Sequence, residues 1–138
     1  MVDPTLVQAY VESLYRVFPP GSAEHVLRIG HRHPGFDACL ARSGARAWVV
    51  LTAWNPGSVQ RSEEENAAAQ RELAAALDRA GLLAWPARGE SPGRDWMEES
   101  LCVLDLDPEQ ARALARRFGQ MAVVQGEMGS EARLALAD

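Results

Sequence analysis

The stretch Thr52-Ala53-Trp54-Asn55-Pro56 (TAWNP) decides how this chain folds, because it separates a buried strand from a helix. Residues 47–53 are apolar on both alternating faces, which is typical of a strand that is covered on both sides. Asn and Pro then stop the strand, and turns at such a point often carry functional residues. We therefore expect a central strand that ends at TAWNP and a functional site close to that turn.

A capped helix is predicted directly after the turn. Ser62 and Glu65 have the spacing of a capping box, and Gly81 ends the helix. One stripe of this helix is apolar near its C-terminal end but carries Asn66 and Gln70 near its start. We expect these two amides to face the sheet at the TAWNP end.

Further helices and strands are predicted on both sides of this unit. Asp3 and Pro4 start a helix whose apolar residues keep helical spacing to about Val17. Asp107 and Pro108 start another helix, which Gly119 closes. A short helix is predicted over residues 36–42. Strands are predicted over residues 25–29, 82–87, 101–106, 121–124 and 133–136.

The order of these elements predicts an α+β fold with a ferredoxin-like βαββαβ core. Its first and third strands are expected to be adjacent, antiparallel and central, and Pro86 confines the second strand to an edge. Helices would lie on one face, so the N-terminal helix, extra strands or a second subunit would cover the other. We expect one domain over residues 1–138, with an N-terminal extension (1–45), the core (46–126) and a C-terminal strand (127–138).

Composition excludes several classes of partner. The chain is 47% hydrophobic and 24% charged, has a formal net charge of −5, and carries neither a signal peptide nor an apolar run that could span a bilayer. An acidic chain lacks the positive field that nucleic acids or anionic membranes require. We therefore predict a cytoplasmic protein with no nucleic-acid or membrane partner. A homodimer is a further prediction, because one sheet face is only partly covered.

Four motifs follow each other along the chain. They are TAWNP with Ser58, ENxxxQxxL over residues 65–73, GExxxxxWMEES over residues 89–100 and FGQxA over residues 118–122. In this combination the chain resembles a small bacterial domain-of-unknown-function family, number thirty-two ninety-three. The resemblance covers nearly the whole chain and implies no activity and no catalytic residues, so function has to be argued from the residues themselves.

The expected topology brings the polar residues of these motifs to one end of the sheet. The first core strand ends there, the helix after it starts there, and the turn between the next two strands lies there. Neutral amides, hydroxyls and tryptophans predominate in the set, and such groups orient ligands better than they drive chemistry. We therefore predict a non-catalytic module that binds a small polar ligand. Its site residues are Thr52, Trp54, Asn55, Ser58, Asn66, Gln70, Arg88, Trp96, Glu98, Glu99, Ser100 and Gln120.

Two other interpretations stay open. Glu98 or Glu99 could act as general acid and base in a small enzyme, although neighbours on a strand point to opposite faces, so only one can face the site. Alternatively, the polar groups only satisfy the backbone of two turns in a structural or protein-interaction domain. Whether the protein is an enzyme therefore stays open.

No cofactor or metal is predicted from the sequence. Metal-capable side chains occur at His25, His31, His33, Asp37 and Cys39, but their spacing matches no zinc motif. Cys39 and Cys102 form no CxxC pair and are expected to be reduced, buried thiols.

Overall fold

The computed structural model describes residues 3–137, which form seven strands and four helices. The strands are β1 (Leu14–Val17), β2 (His25–Leu27), β3 (Ala47–Leu51), β4 (Ala84–Glu90), β5 (Met97–Leu104), β6 (Ala122–Glu127) and β7 (Arg133–Leu136). The helices are α1 (Pro4–Glu12), α2 (Pro34–Arg42), α3 (Glu63–Arg79) and α4 (Pro108–Arg117), with a short 3-10 turn at Pro56–Ser58. All strands belong to one antiparallel sheet in the order β2-β1-β4-β5-β3-β6-β7.

β3 and β5 lie side by side and antiparallel in the middle of the sheet, as the sequence predicted. Trp48 pairs with Leu104 at one end of the ladder, and Leu51 pairs with Leu101 at the other. Val49 is buried on one face of the sheet, and its neighbour Val50 is buried on the other. Both faces are therefore covered, which explains why this strand is apolar throughout.

The α+β class is confirmed, whereas the sheet is larger than the four-stranded one predicted. β1 and β2 extend it beyond β4, so the predicted edge position of β4 is wrong. The carbonyl of Pro86 accepts the N–H of Phe18, which directly follows β1. In an antiparallel ladder the N–H and C=O of one residue face the same neighbouring strand. The position where Pro86 lacks an N–H therefore lies opposite Phe18, beyond the end of β1.

The first helix is shorter than predicted, because Leu14–Val17 is a strand rather than its last turn. α1 ends at Glu12, and the hydroxyl of Ser13 donates to the carbonyl of Ala9 at 2.6 Å. The chain then pairs with both β2 and β4, and Tyr15 becomes buried. Long-range strand pairing thus overrides the local helical spacing.

Helices cover both faces of the sheet. Leu73 and Leu77 of α3 and Ala115 of α4 pack on one face. α2 packs on the other face, where the ring of Phe36 meets that of Trp48 edge-on at 5.9 Å. This face is therefore covered by α2, which was not among the covers predicted, whereas no residue of α1 is fully buried.

The sheet curls around α2. Every strand contributes a side chain to the apolar cluster that includes α2. Ile29, just after β2, forms an isolated bridge with Ala132, just before β7, and the N–H of Gly30 donates to the carbonyl of Ala132 at 2.8 Å. The two outer strands thus meet. The Phe36 end of α2 packs at the end of the curl where β3 starts, which leaves the other end, where β3 stops at TAWNP, for the cleft described next.

Candidate functional site

The TAWNP turn has an unusual backbone. Asn55 lies in the left-handed region at φ 46, and Ser58 does so at φ 62. Asn tolerates this conformation better than most residues because its short polar side chain can bond locally. The two positions wrap the chain around the short 3-10 turn before Ser62 starts α3.

Three amide side chains hold the turn, and each binds a different residue of it. Gln70 accepts the N–H of Ala53 at 3.0 Å, and Asn66 accepts the N–H of Asn55 at 2.9 Å. Gln120 donates to the carbonyl of Trp54 at 2.9 Å. Asn66, Gln70 and Gln120 therefore have a structural task in fixing the turn, whatever else they do.

The side chain of Asn55 links the turn to β5. Its Oδ1 accepts from Asn66 Nδ2 at 2.9 Å and from the backbone N–H of Arg61 at 3.0 Å. Its Nδ2 donates to Oε2 of Glu98 at 2.9 Å. Because Oδ1 is engaged with two donors, the amide of Asn55 is oriented so that its NH₂ group faces the carboxyl of Glu98.

Glu98 and Glu99 lie in different surroundings because they point to opposite faces of β5. Glu98 is only 9% exposed. Burial raises the pKa of Glu98 from 4.5 to about 7, and hydrogen bonding by Asn55 and Trp96 opposes this rise. Glu99 is exposed, with a carboxylate oxygen 3.8 Å from Nε of Arg88. Of these two acids, only Glu98 faces the concave side of the sheet, and its raised pKa makes it a candidate functional group.

A cleft of about 630 Å³ opens between α1, the TAWNP turn and the turn that joins β4 to β5. Tyr10 of α1 lines it, and burial together with the charge of Glu98 raises the pKa of that phenol. The hydroxyl of Tyr15 donates to the carbonyl of Tyr10 at 2.8 Å, which ties the end of α1 to the sheet. Trp96 forms a wall of the cleft and stays 37% exposed.

The structure brings together part of the predicted set. The predicted residues that line the cleft are Trp54, Asn55, Ser58, Asn66, Trp96, Glu98 and Gln120. Thr52 and Ser100 line a smaller space of about 30 Å³, which shares Tyr10, Trp96, Glu98 and Gln120 with the cleft. Gln70, Arg88 and Glu99 line neither space. Arg88 instead lies over the ring of Phe18, 5.4 Å from its centre.

Sequence reasoning missed the contribution of α1 and of several charged residues. Leu6, Tyr10 and Glu12 line the cleft from α1, and Arg61, Glu63 and Asp95 line it from the loops and from α3. Tyr10 carried the one usable signal, since a tyrosine at a partly buried position usually seeks a polar partner. Nothing in the sequence indicated the position of α1 relative to TAWNP.

Other chemistry is sparse in the described part of the chain. Over residues 3–137, no group of three or more His, Cys, Asp or Glu side chains is arranged to hold a metal ion. His33 accepts the N–H of Arg28 through Nε2 at 3.0 Å, and burial lowers the pKa of His33. Cys39 and Cys102 are free and buried, and burial raises the pKa of Cys102. In the same range, no helix has the length and apolar character needed to cross a membrane.

Comparison with known proteins gives one match. A family described as "Protein of unknown function (DUF3293)" matches residues 51–123, which run from the last residue of β3 into β6 and include every predicted site residue. Tyr10 and the rest of α1 lie outside the matched range. No curated protein and no solved structure matched the chain.

Proposed function

The chain belongs to the DUF3293 family of proteins of unknown function, and we propose that it binds a small polar ligand in the cleft beside TAWNP. The observation that carries this proposal is the carboxyl of Glu98, which lies almost buried at a cleft of about 630 Å³ with a pKa raised to about 7. A volume of this size is typical of small-molecule sites, which combine apolar walls with a few fixed polar groups. Burying a carboxyl is costly unless a partner or a function compensates.

A second polar group in the cleft supports the proposal. The indole N–H of Trp54 is buried and has no hydrogen-bond partner among the residues that the structure describes. A buried donor without an acceptor costs about 1–3 kcal/mol. Trp54 lines the cleft with other atoms of its ring, so a ligand oxygen would offset that cost once the ring turns its N–H towards the cleft.

The amides of the site favour binding over catalysis. Asn66 and Gln120 line the cleft and are engaged with the backbone of the turn, so they give the cleft a rigid wall rather than mobile reactive groups. Sites supported in this way are already close to the geometry of the bound state, which lowers the entropic cost of binding.

An enzyme with Glu98 as general acid and base is the second candidate, and the pKa of about 7 favours it. A catalytic group works best when its pKa lies near the working pH. In this case Tyr10, which lines the same cleft, would be a second group that carries a proton. The two candidates differ in one observable, because only the enzyme returns its ligand chemically changed.

We also infer that β3, α3, β4, β5, α4 and β6 form a ferredoxin-like unit inside the larger sheet. The order β4-β5-β3-β6 supports this inference, since it places the first and third strands of the unit between the second and fourth. The site would then lie where the first strand of the unit passes into its first helix.

A ligand screen tests the proposal. We expect compounds from a metabolite library to raise the melting temperature of the wild type, because a ligand that binds the folded state stabilises it. Glu98→Gln should weaken this effect, and Glu99→Gln should retain it, since Glu99 lies on the opposite face of the same strand. Mass spectrometry of each hit before and after incubation separates a binding module from an enzyme. The proposal fails if no compound shifts the melting temperature, or if Glu98→Gln leaves every shift unchanged.

A further inference from the structure

The charged residues that line the cleft are mostly acidic. Carboxyl groups reach it from Glu12 of α1, Glu63 of α3, Asp95 of the β4–β5 turn and Glu98 of β5. Arg61 is the basic side chain on the described lining, and its Nε lies 3.6 Å from a carboxylate oxygen of Glu65. The local field therefore favours a positive ligand over a negative one.

Three aromatic side chains line the same space. Tyr10, Trp54 and Trp96 come from α1, the TAWNP turn and the start of β5. Tyr10 lines both the cleft and the smaller space beside it together with Glu98. Trp96 precedes Glu98 by two positions on the same side of β5 and lines both spaces with it. A carboxylate flanked by aromatic rings is the arrangement that binds ammonium groups through charge and cation–π attraction.

We propose that the ligand of this cleft is an organic cation, in which an ammonium or methylated ammonium group lies against Glu98 between the aromatic rings. This inference rests on the proposed binding function and adds the charge class of the ligand. The buried N–H of Trp54 adds a second requirement, because it needs an acceptor that the described residues do not supply. A cation that also carries a hydroxyl, ether or carbonyl oxygen would satisfy both groups once the ring of Trp54 turns its N–H towards the cleft.

Anionic ligands fit the cleft poorly. The N-terminus of α3 would attract a phosphate, but Glu63, Glu64 and Glu65 occupy its first turn and repel one. A neutral ligand would gain nothing from the charge of Glu98, whose carboxyl would keep its proton beside such a ligand. A cation is instead attracted by the ionised carboxylate.

Two sets of probes with matched shapes test the charge class. One set is choline with its neutral analogue 3,3-dimethylbutan-1-ol and the anion 3,3-dimethylbutanoate. The other is 2-phenylethylamine with 2-phenylethanol and 3-phenylpropanoate. Each probe is titrated into the ¹⁵N-labelled protein while the indole N–H signals are followed by NMR. Trp54 and Trp96 report on the cleft, and Trp48 and Trp85, which are buried in the core around α2, are internal controls.

We expect a cation to move the signals of Trp54 and Trp96 and to bind about tenfold more tightly than its neutral analogue, as a desolvated cation–π contact allows. Glu98→Gln should remove this preference, and Glu99→Gln should retain it. The inference is overturned if the neutral or anionic probe binds as tightly as the cation, or if neither cation moves the two signals. The proposed binding function is judged separately by the library screen, because a neutral or anionic hit there would keep that function and still overturn the cation.

Discussion

Glu98→Gln is expected to abolish a pH dependence of stability that the wild type shows between pH 4.5 and about 7. In the folded protein the pKa of Glu98 is about 7, because the carboxyl is buried, against an ordinary value of 4.5. The native state therefore keeps a proton that the unfolded chain releases. Stability from this group is fully present below pH 4.5 and is lost as the pH rises through 7. At 1.36 kcal/mol for each unit of pKa, the loss is about 3 kcal/mol.

The side chains next to Glu98 do not change their charge in this pH range. Tyr10 from α1 and Tyr15 from β1 face the carboxyl, and burial raises the pKa of both phenols. Neither therefore changes its charge below pH 8. Asn55 and Trp96, the hydrogen-bonding neighbours of Glu98, do not titrate.

Urea unfolding, followed by tryptophan fluorescence at several pH values from 4.5 to 8, measures the effect. The free energies of unfolding of the wild type and Glu98→Gln should agree near pH 4.5 and diverge by about 3 kcal/mol at pH 8, where the variant is the more stable protein. Glu99→Gln should run parallel to the wild type. If the wild type and Glu98→Gln stay parallel over the whole range, the carboxyl is not desolvated as argued and the reasoning is wrong.

Three further substitutions test the structure around the site by urea melts. Asn66→Leu leaves the N–H of Asn55 without its acceptor and should lower the free energy of unfolding by about 1–3 kcal/mol. An unchanged free energy of unfolding would contradict the role of Asn66 in fixing the turn. Gly126→Ala should cost at least about 1–3 kcal/mol, because the new Cβ would lie 2.6 Å from the ring of Trp48, and wild-type stability would refute that close approach. Ser62→Ala should cost about 1 kcal/mol and speed amide exchange in the first turn of α3, whereas unchanged exchange would exclude the capping box.

Local signals were enough to predict the middle of the fold. The all-apolar β3 had to be covered on both faces, and the spacing of Ser62 and Glu65 located the start of α3 correctly. The position of Asn66 at that start also placed its side chain at the TAWNP end, because a helix after a strand begins where the strand stops. These predictions depended on neighbours in sequence.

The errors came from contacts between distant segments. Leu14–Val17 fits helical spacing as well as strand alternation, and only pairing with β4 decides between them. Pro86 has no backbone N–H to donate, and β4 was therefore assigned to an edge of the sheet. In the structure the neighbouring strand β1 ends opposite Pro86, so β4 can lie inside the sheet. The homodimer inferred from an uncovered sheet face stays a prediction, although the cover by α2 removes the reason given for it.

At the site, too, local signals in the sequence were sufficient for only part of the prediction. Alternation along β5 established that one of Glu98 and Glu99 faces the site, but which one depends on where α1 packs. The sequence could not supply that position, because α1 buries no residue of its own and its apolar pattern does not specify a partner. Tyr10 was therefore missed as a neighbour of Glu98.

The bridge between Ile29 and Ala132 has a consequence for how the protein folds during synthesis. The curl closes only after the segment before β7 has left the ribosome, and β6 keeps a free edge on every nascent chain that ends between β6 and β7. A contact between residues so far apart in sequence raises the contact order of the protein, and folding slows as contact order rises. Premature termination between β6 and Ala132 would therefore release a chain in which β6 has an unpaired edge, and chaperones would be expected to bind it.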